Sequence, residues 1–146
     1  MKLYTIGHTK KNLRRFVELM RDAGVDAVVD IRLKNSSQLA GYSKGDDLAF
    51  VLEELLGIKY LHVLDLAPTE ELLEQYRKDK DWRNYHAAFA ELMRDRGAIA
   101  AAWKTLSAFK CPCLLCAEDD PQQCHRRVVA ELLAADHPDT EVIHLR

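Results

Sequence analysis

The chain has 146 residues, which suits one compact domain over residues 1–146 and leaves little room for two. With 48% hydrophobic and 30% charged residues the composition is globular, and a net charge of −2 excludes a basic coat for nucleic acid as the main feature. No apolar run reaches the roughly 20 residues that span a bilayer, and the first residues lack the apolar stretch of a signal peptide. We therefore expect a cytoplasmic protein without membrane contact, in which the four cysteines are thiols or ligands and not disulfides.

The first part of the chain predicts a strand, a helix and a second strand. Residues 3–6 form a short β-type run, and residues 25–31 form another that suits burial on both faces. Between them, apolar residues recur at the spacing of a helix with one buried face: Leu13, Phe16, Val17 and Met20. We expect Thr9 to cap this helix and Gly24 to end it in a left-handed turn.

The rest of the chain alternates in the same way. After a long loop over 33–45, the pattern predicts a helix from about Asp46 to Gly57, a strand over 59–66, helices over 70–78, 82–96 and 98–107, a strand over 111–117, a helix over 124–135 and a strand over 141–145. The helix before Gly57 is expected to bury one face: Leu48, Val51, Leu52, Leu55 and Leu56. Strands joined by crossover helices predict a three-layer α/β fold with a mainly parallel sheet of about five strands, Rossmann-like or flavodoxin-like.

Polar residues follow the predicted strands where a ligand would bind. In open α/β sheets, ligands bind outside the carboxyl ends of the strands, and His8, Arg32 and Glu118 each come just after a predicted strand. Glu118 and His8 are candidate proton carriers. Cys124 stands near the start of a helix beside basic residues, which predicts a lowered thiol pKa and a nucleophilic role. The candidate catalytic residues are therefore His8, Glu118 and Cys124.

A second group of residues is expected to hold an anion or substrate near these positions. The amides of a helix's first turn and basic side chains favour negative charge, and the long loop can close over a ligand. The candidate binding residues are Gly7, Arg32, Tyr42, Lys44, Cys116, His125 and Arg126. Structural roles compete with these assignments. Arg32 can bridge to Asp30, Cys116 can be an inert core thiol, and Gly7 can merely permit a tight turn.

The cysteines also raise the question of a metal site. Cysteine and histidine are the ligands that zinc prefers, and both types occur between Cys111 and His125. On a strand, however, Cys111 and Cys113 share one face while Cys116 points to the other. These thiols do not converge as a zinc knuckle requires. We therefore assign no metal, and the sequence requires no cofactor.

The motifs assembled above resemble a family of uncharacterised bacterial and archaeal proteins, domain of unknown function 488. The run from Thr5 to His8 looks like its opening motif, and Asp30 to Arg32 looks like its Asp-Val-Arg motif with isoleucine in the valine place. The most specific signature is Leu114 to Glu118, followed by Pro121 and then by Cys124 to Arg126. The resemblance runs over nearly the whole chain and implies a three-layer α/β fold. It implies no established reaction, substrate or cofactor.

Three function classes fit these residues, and the favoured one is an enzyme. It would be a hydrolase or transferase acting on a small anionic or nucleotide-like substrate at the carboxyl edge of the sheet. The alternative is a non-catalytic module that binds a nucleotide or a nucleic-acid end. Against nucleic acid, the net charge disfavours long duplex contacts, and Trp82 and Tyr85 fit a helical core better than base stacking. A thiol redox sensor based on Cys124 is the least favoured class, and oligomeric state stays undetermined.

Overall fold

The computed structural model describes residues 1–146 and contains one five-stranded sheet. The strands are β1 (Lys2–Gly7), β2 (Ala27–Asp30), β3 (Lys59–His62), β4 (Pro112–Cys116) and β5 (Glu141–Leu145). The helices are α1 (Leu13–Ala23), α2 (Gly45–Phe50), α3 (Glu70–Asp79), α4 (Trp82–Arg96), α5 (Ala98–Leu106) and α6 (His125–Asp136). None of these helices combines the length and the apolar composition needed to cross a bilayer.

All strand pairs are parallel, in the order β3-β2-β4-β1-β5. The predicted three-layer α/β architecture with a parallel sheet of five strands is confirmed. The strand order differs from that of the dinucleotide-binding fold and from that of flavodoxin, because β4 lies between β2 and β1. The strands β2, β4 and β1 are thus the central ones, and their carboxyl ends lie side by side.

Helices cover both faces of the sheet and form two separate cores. The helices α3 to α6 pack on one face, and α1 and α2 pack on the other. Alternation along β4 divides its side chains between the two: Leu114 and Cys116 belong to the first core, whereas Cys113 and Leu115 belong to the second. The predicted separation of Cys113 from Cys116 is confirmed.

The first helix ends as predicted but begins elsewhere. Gly24 closes α1 at a φ of 72°, the left-handed conformation that a glycine adopts without a steric penalty. The expected cap, Thr9, instead donates its hydroxyl hydrogen to the Ala117 carbonyl at 2.8 Å. Asn12 caps the helix, since its side-chain oxygen accepts from the Arg15 amide at 2.9 Å. Thr9 therefore ties β1 to the turn after β4.

The helix expected before Gly57 buries less than predicted. The α-helix α2 ends at Phe50, and a π-helical turn over Val51–Leu55 follows. A π turn contains more residues than an α turn, so the apolar positions rotate off the face that the α-helical spacing predicts. Leu52 is still buried, but Leu55 and Leu56 are 66% and 37% exposed.

The third strand is also shorter than predicted. It pairs only with β2, and the last pair joins Asp30 to His62. Since β2 ends there, the chain beyond has no ladder partner and forms a short 3-10 turn over Leu64–Leu66. The long loop over 33–45 likewise contains a 3-10 segment, Gln38–Ser43.

Gly7 and Arg126 hold the turn that follows β4. An ideal Cβ at Gly7 would lie 1.7 Å from the Glu118 carbonyl oxygen, so only glycine lets this turn approach β1 so closely. Arg126 is fully buried, and its guanidinium donates to the carbonyls of Glu118 and Asp119 and to the Thr5 hydroxyl. The turn is therefore held from both sides.

Replacing Gly7 by Ala should destabilise the protein by about 3 kcal/mol, the upper end of the range for overpacking, because the new methyl group meets rigid backbone. Urea unfolding measures the loss. Gly24→Ala is the matched control: its Cβ meets nothing, and its positive φ costs about 1 kcal/mol. Equal losses in the two variants would contradict the close approach of the turn to Gly7.

Candidate functional site

A cleft of about 1000 Å³ opens at the carboxyl edge of the sheet. It lies over the ends of β1, β2 and β4, and its walls come from residues 33–40, α3, the start of α4 and the turn before α6. Six residues predicted for the site line this cleft: His8, Arg32, Cys116, Glu118, Cys124 and His125. The topology thus gathers side chains that lie far apart in the sequence.

Two thiols and one imidazole form the floor of the cleft. Cys116 ends β4, while Cys124 and His125 stand at the start of α6, and all three are buried. The two sulfur atoms and a ring nitrogen of His125 lie within 4.8 Å of one another, and both thiols are free. We call these three residues the thiol–imidazole cluster.

The imidazole of His125 is held in one orientation. Its Nε2 lies 2.8 Å from the Ile31 carbonyl oxygen, and its Nδ1 lies 3.5 Å from Cys116 Sγ. A carbonyl oxygen only accepts hydrogen bonds, so Nε2 carries a hydrogen and Nδ1 is the unprotonated nitrogen of the neutral ring. Cys116 Sγ also lies 3.7 Å from Nε2, so the sulfur contacts both ring nitrogens and does not lie along the Nδ1 lone pair. Phe89 packs against the ring with its centroid 5.5 Å away. The result is a buried thiol in contact with an imidazole whose orientation the Ile31 carbonyl fixes.

The environments of the two thiols drive their pKa values apart. A hydrogen bond from Cys124 lowers the pKa of Cys116 despite burial. The amides of Ala117 and Glu118 and the charge of Arg126 act in the same direction. The same thiol–thiol hydrogen bond, together with burial, raises the pKa of Cys124 well above its usual value. The predicted lowering for Cys124 is therefore wrong, and the thiol poised to ionise is Cys116.

His8 reaches the cleft from the end of β1. Its backbone amide donates to the Cys116 carbonyl at 3.2 Å, but its ring has no hydrogen-bond partner within the chain. Burial lowers the pKa of His8 to about 4, and the positive charges of Arg32 and Lys11 act in the same direction. The imidazole is therefore neutral near pH 7 and faces the ligand space with both nitrogens free.

Arg32 forms a buried ion pair with Asp30 at the end of β2. Its Nε and Nη2 contact the two carboxylate oxygens at 2.9 and 2.7 Å, and Nη2 also donates to the Ser43 carbonyl at 2.8 Å. Burial opposes ionisation of Asp30, but Arg32 and a hydrogen bond from Tyr60 hold its pKa below the ordinary value. The structural alternative for Arg32, a bridge to Asp30, is thus present. Only Nη1 is left to meet a ligand in the cleft.

Three aromatic side chains line one side of the cleft. Tyr76 on α3 lies against Trp82 and Tyr85 of α4, with ring centroids 5.9 and 5.0 Å apart. Trp82 stacks on Tyr85 at 5.4 Å. The core packing predicted for Trp82 and Tyr85 is present, since both contact the core under α3 to α6, yet both rings also border the cleft.

The mouth of the cleft carries free positive charge. Arg77 and Lys80, at the carboxyl end of α3, are exposed and form no ion pair. Lys34 also borders the cleft but pairs with Glu70 at 2.9 Å. Sequence reasoning missed Tyr76, Arg77 and Lys80. Tyr76 and Arg77 lie in the last turn of α3, and Lys80 ends the helix in a left-handed conformation. The packing of α3 against α4 brings them to the cleft, and the sequence carries no local signal for it.

Four predicted binding residues lie outside the cleft: Gly7, Tyr42, Lys44 and Arg126. Gly7 and Arg126 hold the turn after β4. The Tyr42 hydroxyl donates to the His8 carbonyl at 2.8 Å, so this residue anchors the long loop to the end of β1. Lys44 borders a separate depression of about 260 Å³. These residues support the cleft or stand apart from it, and none reaches its lining.

A comparison with protein families decides what this chain is related to. The family model described as "Domain of unknown function DUF488" matches residues 12–133. The chain belongs to the DUF488 family. The matched region of this DUF488 protein contains the motifs around Asp30 and from Cys116 to Arg126, while the motif from Thr5 to His8 precedes it. No curated protein and no solved structure matches the chain significantly.

Replacing Asp30 by Asn should destabilise this DUF488 protein by about 3–5 kcal/mol, because buried Arg32 loses its anionic partner. The pKa of Asp30 lies below its ordinary 3.8 in the folded state. Its contribution is therefore complete above that pH and is lost as the pH falls through the native value. Urea unfolding at several pH values measures both effects, and Asp30→Asn should lack this acid dependence.

The exposed pair of Lys34 and Glu70 supplies the control for the Asp30 variant. Glu70→Gln should leave the unfolding midpoint unchanged, because solvent screens that pair. A loss as large as that of Asp30→Asn, or no loss in Asp30→Asn, would contradict the buried ion pair.

Proposed function

We propose that this protein is an enzyme, a hydrolase or transferase, that acts on a small anionic or nucleotide-like substrate in the cleft. The observation that carries the proposal is the contact of the buried Cys116 thiol with the His125 ring on the cleft floor, where Sγ lies 3.5 Å from Nδ1 and 3.7 Å from Nε2. An inert core thiol needs no such partner. A thiolate is the form of cysteine that attacks electrophiles and binds metals, so Cys116 supplies the reactive centre.

The shape and lining of the cleft favour a flat ring that carries an anion. Its volume of about 1000 Å³ accommodates a ligand of nucleotide size. Tyr76 and Trp82 offer aromatic surface for stacking, and Arg77 and Lys80 offer unpaired positive charge suited to a phosphate. The net charge of −2 does not oppose a single bound nucleotide as it opposes long duplex contacts.

Proton transfer is assigned to His8 and Glu118, which both line the cleft. With a pKa of about 4, His8 is unprotonated at neutral pH and has both ring nitrogens free. Such a group is a weak base, but once protonated it is a strong acid toward a leaving group. Glu118 is exposed two residues after Cys116, in the turn that Arg126 holds. Arg32 can contribute its free Nη1 to the substrate.

AMP should bind in the cleft and change the fluorescence of Trp82. The other tryptophan, Trp103, is only 8% exposed and donates to the Leu133 carbonyl. Trp82→Phe should therefore remove the signal, whereas Trp103→Phe should retain it. Adenosine and inorganic phosphate, which each make only part of the contacts, should bind at least about tenfold more weakly than AMP.

The role of the cleft mouth is tested in the same titration. Arg77→Gln should weaken AMP binding about tenfold and leave adenosine binding unchanged, because the guanidinium meets the phosphate only. AMP binding that survives both Trp82→Phe and Arg77→Gln undiminished, as measured by calorimetry, would place the ligand elsewhere.

Turnover of a panel of phosphoesters, nucleosides and thioesters should depend on Cys116. Cys116→Ser retains a similar shape but has no thiolate at neutral pH, so the rate on any accepted substrate should fall at least about a hundredfold. Cys111→Ser is the matched control, because Cys111 packs against the core on the opposite face of the sheet. Binding of AMP without turnover of any panel member would contradict the enzyme and favour a binding module.

A further inference from the structure

The ligand atoms of the thiol–imidazole cluster lie close enough together to approach the spacing of a tetrahedral metal site. Zn–S bonds of about 2.3 Å and Zn–N bonds of about 2.0–2.1 Å put sulfur and nitrogen about 3.6 Å apart and two sulfur atoms about 3.8 Å apart. Cys116 Sγ lies 3.5 Å from His125 Nδ1, and all three ligand atoms lie within 4.8 Å of one another. Small side-chain rotations would bring them onto one cation.

The orientation of His125 is the one that a metal ligand needs. A histidine that binds a metal through one nitrogen usually donates the other N–H to a carbonyl or carboxylate, which fixes the ring. Here Nε2 donates to the Ile31 carbonyl at 2.8 Å, which leaves Nδ1 unprotonated and available to a metal, and Cys116 Sγ lies 3.5 Å from Nδ1 and 3.7 Å from Nε2. Phe89 confines the ring from the side. The outer hydrogen bond that orients a metal-binding histidine is therefore already present.

The chemistry of the cluster selects the kind of cation. Two sulfur ligands and one imidazole favour thiophilic metals over magnesium or calcium, which prefer oxygen. The three residues are between 3% and 7% exposed, and buried charge must be balanced. Two thiolates balance one divalent cation. The charge of the loaded site would then be close to zero.

We propose that Cys116, Cys124 and His125 bind one thiophilic divalent cation, with zinc the best match. All three residues line the cleft, so a fourth coordination position faces the ligand space, as in catalytic and not structural zinc sites. A zinc ion at such a position supplies Lewis acidity toward a substrate oxygen. That use of the fourth position rests on the proposed function, whereas metal binding itself does not.

The other two cysteines are outside this site. Cys111 and Cys113 pack against the core formed with α1 and α2, on the opposite face of the sheet from Cys116. The faces predicted for the strand are therefore correct. The assignment of no metal followed from testing Cys111 and Cys113 as the partners of Cys116. The fold instead brings Cys116 next to Cys124 and His125, at the start of α6.

Cobalt titration tests the site without reference to catalysis. The full-length protein is stripped with a chelator under reducing conditions and titrated with CoCl₂. We expect one cobalt per chain, a near-ultraviolet thiolate-to-cobalt charge-transfer band, visible bands of a tetrahedral ion, and displacement by zinc. Cys124→Ser and His125→Gln should weaken cobalt binding at least about a hundredfold, and Cys111→Ser should bind as the wild type does. Undiminished binding in Cys124→Ser, or loss in Cys111→Ser, would overturn the assignment.

X-ray absorption on the zinc-loaded wild type decides the case even if a variant fails to fold. The expected shell contains two sulfur atoms at about 2.3 Å and two lighter atoms at about 2.0–2.1 Å. A shell without sulfur, or with four sulfur atoms, would overturn the proposal, as would a wild-type protein that binds no cobalt. Zinc binding with this shell and no turnover would uphold the metal site and defeat the enzyme. Turnover that depends on Cys116 in metal-free protein, together with no cobalt binding, would uphold the enzyme and defeat the metal site.

Discussion

The hydrogen bond between His125 Nε2 and the Ile31 carbonyl, 2.8 Å long, is the contact on which the candidate site depends. Ile31 is itself tied to the sheet, because its amide donates to the Leu115 carbonyl at 3.0 Å. The hydrogen bond from His125 therefore joins the end of β2 to the first residue of α6, and the Ile31 amide ties the same segment to β4. The bond from His125 leaves Nδ1 unprotonated and holds the ring against Cys116, whose Sγ lies 3.5 Å from Nδ1 and 3.7 Å from Nε2. Without this contact the imidazole would be free to turn, and the thiol would lose its partner.

The turn between β4 and α6 makes that contact possible. Arg126 holds the Glu118 and Asp119 carbonyls, and Gly7 lets the turn approach β1 more closely than any side chain would allow. Lys11, with an almost fully buried side chain, adds an ion pair to Asp119 at 2.7 Å. The turn thus delivers the start of α6 to the carboxyl edge of the sheet with little freedom. Arg126 is buried, and its guanidinium donates to groups of the chain and does not line the cleft.

The general position of the site follows from the sequence, because parallel strands end at one edge of a sheet and ligands bind there. That rule predicts that His8, Arg32 and Glu118 lie together, and all three line one cleft. The fold class and most element bounds follow from periodicity in the same way. The π-helical turn after Phe50 does not, since it departs from the period on which the prediction rests.

The roles of individual residues depend on side-chain contacts that the sequence pattern does not predict. The direction of the Arg32 side chain decides whether its guanidinium contacts a ligand or the carboxylate of Asp30, two residues earlier. In the structure it contacts Asp30. Which thiol has the lowered pKa depends on the hydrogen bond between the two thiols and on the amides of the turn, and this is Cys116 although Cys124 adjoins the helix. The aromatic and basic wall depends on how α3 packs against α4. Such packing is a tertiary property, so the wall was missed.

The most direct test of this account is the tautomer of His125, read from nitrogen-15 NMR of the imidazole in wild-type protein. We expect a ring protonated at Nε2 with Nδ1 unprotonated, and a change in the signals of the ring nitrogens when Cys116 is replaced by Ala. A ring protonated at Nδ1 would contradict the hydrogen bond to Ile31, and ring nitrogen signals unchanged by the Cys116→Ala substitution would contradict the contact with the thiol.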